Sequence, residues 1–255
     1  MPPAATLARL VLIEARRGGL PWLAGACIIA GVGLAAFLSQ VALIESRELQ
    51  LAIVAAWLRA CAVLLIASHV ALRTLREIDD KVLELMLALP LGRSNLYLGR
   101  LAGFAACGAL LAAAFAAPLV AWAPPGAVVL WGLSLACELA LVAATALFFA
   151  MTLVQPVPAV AATIGLYLLG RSVAALQGLA GGGSHAGDTL AGSVARFAVD
   201  AIAFLLPRLD TATRSEWLLY GMPPASVYAA AIGGLLLYAA LLAAAGLFDF
   251  ARKGV

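Results

Sequence analysis

Few residues in this chain carry the chemistry of catalysis, and their spacing does not assemble it. Cys27, Cys61, Cys107 and Cys137 each fall in a different apolar run and none belongs to a CxxC pair. That pattern fits buried free thiols better than a disulfide framework or an intramembrane metal path, since free cysteine is among the most buried residue types. His69 and His185 are the only histidines, too few to build a zinc-ligand spacing. Neither sits in a recognisable constellation with a nucleophile or a base. No GxxxxGK[ST] phosphate cradle occurs, so no cofactor is expected and the chain alone should not bind or hydrolyse ATP.

Two other sets of residues stand out by where they sit. Arg59, Glu138 and Arg171 lie inside long apolar runs, where a charge costs several kcal/mol unless it is paired or wetted. Counted at about 1.5 Å per residue from the expected span ends, Arg59 and Glu138 reach depths of about 12 and 16 Å and could meet. Such a pair either locks two helices together or forms a polar element of a substrate path. The second set fills the segment Arg73 to Arg93, RTLREIDDKVLELMLALPLGR. Leu72, Leu75, Ile78, Val82, Leu85, Met86 and Leu89 recur at helical spacing, and Arg76, Glu77, Asp80, Lys81 and Glu84 share the remaining surface. This predicts an amphipathic helix that Pro90 stops, with a turn at Gly92 and Ser94 capping the next helix. Its carboxylates, Glu77, Asp79, Asp80 and Glu84, either form i,i+4 pairs such as Glu77 with Lys81 or make a charged docking surface.

These residues need a membrane to position them. The chain has 255 residues, 65% of them apolar and 11% charged, against about 45–50% and 25% in soluble domains. A net charge of +3 with scattered basic residues argues against a nucleic-acid partner. A span takes about 20 apolar residues, and six segments qualify: Pro21 to Ile44, Leu51 to Leu72, Leu96 to Trp122, Ala127 to Val154, Val157 to Leu176 and Ala225 to Phe248. The first is too long for a cleaved leader and reads as a signal anchor. The expected fold is therefore all-α, a polytopic membrane protein of six transmembrane helices.

Arg9, Arg16, Arg17, Arg73, Arg76, Lys81, Arg93, Arg100, Arg252 and Lys253 fall on one side of that topology. Arg47, Arg196, Arg208 and Arg214 fall on the other. The cation bias predicts that both ends are cytoplasmic. Residues 1–20 suit an interfacial helix, with Gly18 and Gly19 turning it into the first span. Residues 178–224 form an outer loop, Gly- and Ser-rich from Gly178 to Gly192. Within it Ser193 to Pro207 is too short to cross and reads as a re-entrant or interfacial helix. Gly99 and Gly103 give a GxxxG face that admits another helix closely.

The segment from Arg76 to Arg93 resembles the first cytoplasmic loop of the type-two ABC exporter permeases, R-E-x-E-x-G-T-x-E-x-L-L-x-x-P-x-x-R. Arg76, Glu77, Glu84, Met86, Leu87, Pro90 and Arg93 fall on matching positions, Asp79 replaces a Glu, and Lys81-Val82 stand where Gly-Thr is usual. The resemblance implies one permease domain over residues 1–255, with residues 73–93 as the coupling-helix loop that docks on a separate ATPase. It implies two permeases, as homodimer or heterodimer, working with two ATPase subunits in the bacterial inner membrane. Arg76, Glu77, Asp80, Glu84, Pro90 and Arg93 are the expected coupling residues. A subgroup of such permeases assists maturation of periplasmic copper enzymes, including nitrous oxide reductase, and is similar in length and layout. A membrane-embedded enzyme, a non-ABC scaffold and a secondary transporter are the competing classes. The enzyme lacks a reactive constellation, and no repeat between halves favours the transporter.

Overall fold

Apolar runs this long leave the backbone one economical solution in a bilayer, the helix, which satisfies every interior N–H and C=O within its own segment. A computed structural model describes residues 3–41, 46–82, 85, 92–182, 197, 199–201, 203, 206–213, 216–219, 221 and 223–252. It shows an all-α protein, with no strand among the described residues. The elements are α1 (Pro3–Arg17), α2 (Leu20–Val41), α3 (Ser46–Asp79), α4 (Arg93–Ala116), α5 (Pro125–Leu153), α6 (Pro156–Gly182), α7 (Leu209–Ala212), α8 (Glu216–Leu219) and α9 (Ala225–Arg252). Six of them, α2 to α6 and α9, are long and apolar enough to cross a membrane, and they coincide with the six segments expected from the sequence.

Helix α5 is the axis of the bundle. It is apolar on every side, the signature of a helix without a solvent face, and it packs against α3, α4, α6 and α9. Trp131, Leu135, Leu139 and Leu147 are fully buried on it. By contrast α2 and α9 leave most of their surface uncovered. Helix α1 lies on α4, burying Val11 and Ala15, and Gly19 turns the chain into α2 at φ +84°. Arg93 at the start of α4 donates to the Ala251 carbonyl at 3.3 Å. The two ends of the described chain thus share one end of the bundle, here termed the α1 end.

Gly103 shows why the α1 contact needs a small residue. A Cβ there would stand 2.7 Å from the Val11 Cβ and 3.1 Å from the Ala8 Cα. Gly103→Leu is therefore expected to push α1 off α4 and destabilise the protein by about 1–3 kcal/mol, the usual cost of overpacking. Thermal unfolding in detergent measures this, and an unchanged midpoint would mean that α1 is not held at this face.

The structure corrects several boundaries. The second span and the first half of the amphipathic segment are one continuous helix, α3, because no helix breaker intervenes between Leu72 and Asp79. The amphipathic helix expected across Arg73 to Pro90 is interrupted by a turn at Asp80 and Lys81. Gly92, not Ser94, is the N-cap of α4, with φ −61° and ψ 135°, so Ser94 falls in the first turn. Helix α6 continues through Gly178 to Gly182 where a loop was expected. Of the expected outer helix, residues 193–196, 198, 202, 204 and 205 lie outside the described residues. The part that follows is anchored, since Pro207 and Leu209 are buried against Gly170 of α6.

Candidate functional site

Two sites emerge, one inside the bundle and one at the α1 end. The inner site gathers the three charges of the spans. Arg59 of α3 and Glu138 of α5 form a buried ion pair between Nη1 and Oε2, with side chains only 1% and 0% exposed. Arg59 Nη2 also donates to Ser134 Oγ at 3.2 Å, and the guanidinium stands 5.0 Å from the centre of the Trp131 ring, within cation–π range. The other carboxylate oxygen of Glu138 accepts from Tyr167 Oη at 2.8 Å. Arg171, one helical turn beyond on α6, donates to the Tyr167 oxygen at 3.1 Å and lies 3.9 Å from Glu138 Oε1.

The pair expected from Arg59 and Glu138 thus forms, and Arg171 joins it. Glu138 sits between two guanidiniums and a phenol, so its charge is compensated at both oxygens, as burial demands. The geometry ties α3, α5 and α6 together at a depth of about 14 Å from Gln50, where the apolar span within α3 begins. Arg171 remains 36% exposed, which leaves one edge of this network at the bundle surface. Tyr167, Ser134 and Trp131 were not singled out from the sequence. A signal existed: Tyr167 and Ser134 lie one turn before Arg171 and Glu138, where a helical side chain finds its neighbour.

The second site is the segment with the resemblance. Helix α3 emerges from the bundle and ends at Asp79; the Asp80 N–H bonds to the Arg76 carbonyl at 2.8 Å and the Lys81 N–H to that of Ile78 at 3.1 Å. Lys81 then takes the left-handed conformation, φ 56°, which suits glycine best. Helical bonding resumes at once, from the Leu85 N–H to the Lys81 carbonyl at 3.2 Å.

Its expected contacts divide. Leu75 is buried and, with Ile78, packs on Ala150 and Phe149 of α5 and on Ala159 and Val160 of α6. Arg76, Asp79, Asp80 and Lys81 are exposed. Glu77 is turned inward and forms an ion pair with Arg100 of α4, whose side chain is 3% exposed, rather than the i,i+4 pair with Lys81. Beside it Glu14 of α1 pairs with Arg73 at 2.5 Å. Two carboxylates and two guanidiniums therefore clip α1, α3 and α4 together. Glu84, Met86, Leu87 and Pro90 lie outside the described residues, and Arg93 is engaged with the end of α9 as described above.

Among the described residues no group of three or more His, Cys, Asp and Glu is placed to hold a metal. Compared with protein-family models and with curated proteins, the chain matches none.

Proposed function

We propose that this chain is the permease subunit of an ABC exporter in a bacterial cytoplasmic membrane, with the α1 end cytoplasmic. Two permease copies, identical or not, would form the translocation path and work with two copies of a separate ATPase. The observation that carries this reading is the break in the helix at Lys81. The resembling motif has glycine at that position, and here the chain adopts the backbone conformation that glycine favours although the residue is lysine. The left-handed residue thus falls where the resembling motif carries glycine, and that coincidence supports the reading.

The packing supports a coupling role. Force applied to the exposed carboxylates beyond Arg76 would pass through Leu75 and Ile78 to the turn between α5 and α6. That turn is tight, with Val154 at φ 51°, a strained conformation for a β-branched residue. Rigid helices joined by close packing move as units and do not bend continuously. A displacement at the α1 end would then reach α5 and, with it, the buried network around Glu138.

The test is co-purification with a candidate P-loop ATPase subunit from the same genome, comparing wild type with Asp80→Lys/Glu84→Lys. Reversed charges on a docking helix add repulsion as well as removing attraction, so association should weaken about tenfold or more and permease-stimulated ATP hydrolysis should fall with it. Membrane insertion should persist, because acidic residues contribute little to orientation. If the doubly substituted chain inserts and keeps full association and full hydrolysis, the coupling assignment is wrong.

A further inference from the structure

Helices α2 and α4 barely touch each other, and α1 packs closely on α4 but only lightly on α2. A cleft of about 530 Å³ remains, in the range of sites that hold a small ligand, about 300–1,000 Å³. Each of its three walls is built mainly from a helical stripe at i, i+3, i+4 and i+7, with Ala15 and Leu20 added where α1 turns into α2. Pro21, Ala24, Gly25 and Ile28 line it from α2, and Cys107, Leu110, Leu111 and Ala114 from α4. Either stripe runs about 10 Å along the bundle. The third stripe differs: from α1 it presents Arg9, Leu12, Ile13 and Arg16, so that an apolar pair is flanked by a guanidinium at each end.

No carboxylate lines the cleft. The acid nearest in sequence, Glu14, is engaged with Arg73. Arg9 and Arg16 are exposed and form no ion pair among the described residues. An apolar slot running into the bilayer from a helix with two uncompensated guanidiniums has the polarity profile of an anionic amphiphile.

We infer that the cleft is a binding site for an anionic phospholipid, whose phosphate sits between Arg9 and Arg16 and one of whose acyl chains lies between α2 and α4. Charge complementarity selects the headgroup, because a guanidinium binds phosphate by two parallel hydrogen bonds. The hydrocarbon walls give no such selection, since they meet any lipid chain equally. The site holds without reference to an ATPase and stands apart from the function proposed above.

Two substitutions probe the two halves separately. Arg9→Gln/Arg16→Gln removes the phosphate contacts, while Gly25→Leu fills the slot without touching charge. A Cβ at Gly25 meets nothing within 4 Å, so the helix itself accommodates the larger residue. Full-length protein would be purified and exchanged into mixed vesicles of phosphatidylglycerol and phosphatidylcholine, and the lipid retained after detergent extraction read by native mass spectrometry. Wild type should retain phosphatidylglycerol in preference to phosphatidylcholine. The arginine pair variant should lose that preference, with at least tenfold weaker retention. Gly25→Leu should lose bound lipid of both kinds, and Arg17→Gln, outside the cleft, should behave as wild type. Equal retention of the two lipids by wild type overturns the proposal. So does unchanged preference in the arginine variant, retention unaffected by Gly25→Leu, or a second copy of the chain in place of lipid.

Discussion

Replacing Glu138 with leucine is expected to destabilise the bundle by about 3–5 kcal/mol, the cost of leaving a buried charge without its partner. Arg59 would remain on α3 with its side chain 1% exposed, holding only Ser134 and the face of Trp131. Tyr167 would lose its acceptor as well. Glu138→Gln should fall nearly as far, since an amide keeps the shape but not the charge. The variant Arg59→Met/Glu138→Leu should recover most of the loss, because an apolar pair of similar volume is often as stable as the ion pair it replaces. Arg171 is not stranded by that change, being 36% exposed and still bonded to Tyr167. Thermal unfolding of the four proteins in one detergent makes the comparison. If Glu138→Leu unfolds with the wild type, the pair is not desolvated in the folded protein and does not lock α3 to α5. The same double variant separates the two roles of the network. On the permease reading proposed above, stable protein with normal transport would make the pair a lock, whereas stable protein without transport would place it on the substrate path.

The spans were legible because the bilayer imposes a length and a polarity that a sequence can hardly conceal. Arg59 and Glu138 were legible for the same reason: a charge in hydrocarbon demands a partner, and only a few residues could supply one. Tyr167, Ser134 and Trp131 carry no such demand: the i,i+4 spacing makes Tyr167 and Ser134 neighbours of Arg171 and Glu138, but an uncharged side chain needs no partner there. The end of α3 is not legible in the sequence, because hydropathy falls at Leu72 while helical periodicity does not. The membrane boundary and the helix boundary are different things, and only the first is written in hydropathy. Gly103 announced a close approach but not by what, since its partner α1 is amphipathic and either of its faces could have met α4. Arg100 was harder still. As a cation near a span end it counted toward orientation, and nothing in its neighbourhood along the chain tied it to Glu77 on another helix.

That pairing sets the second large effect. Glu77→Lys is expected to destabilise the protein by about 3–5 kcal/mol, since it leaves Arg100 buried without its counter-charge and sets a like charge against it. The loss should spread beyond one contact, because the clip of Glu77, Arg100, Glu14 and Arg73 joins three helices. Reduced ATPase association in a Glu77→Lys chain would then report a damaged α1 end and say nothing of docking, which is why Asp80, exposed on the same segment, is the residue to reverse. The charge-swapped protein Glu77→Arg/Arg100→Glu separates pairing from docking. If Glu77 serves only the clip, the swap should restore both the unfolding midpoint and ATPase association. If the swap restores the midpoint while association stays low, the sign of the charge at residue 77 matters to the partner directly. A Glu77→Lys protein that unfolds at the wild-type temperature would show instead that its carboxylate is free of Arg100 in the folded chain and available at the surface.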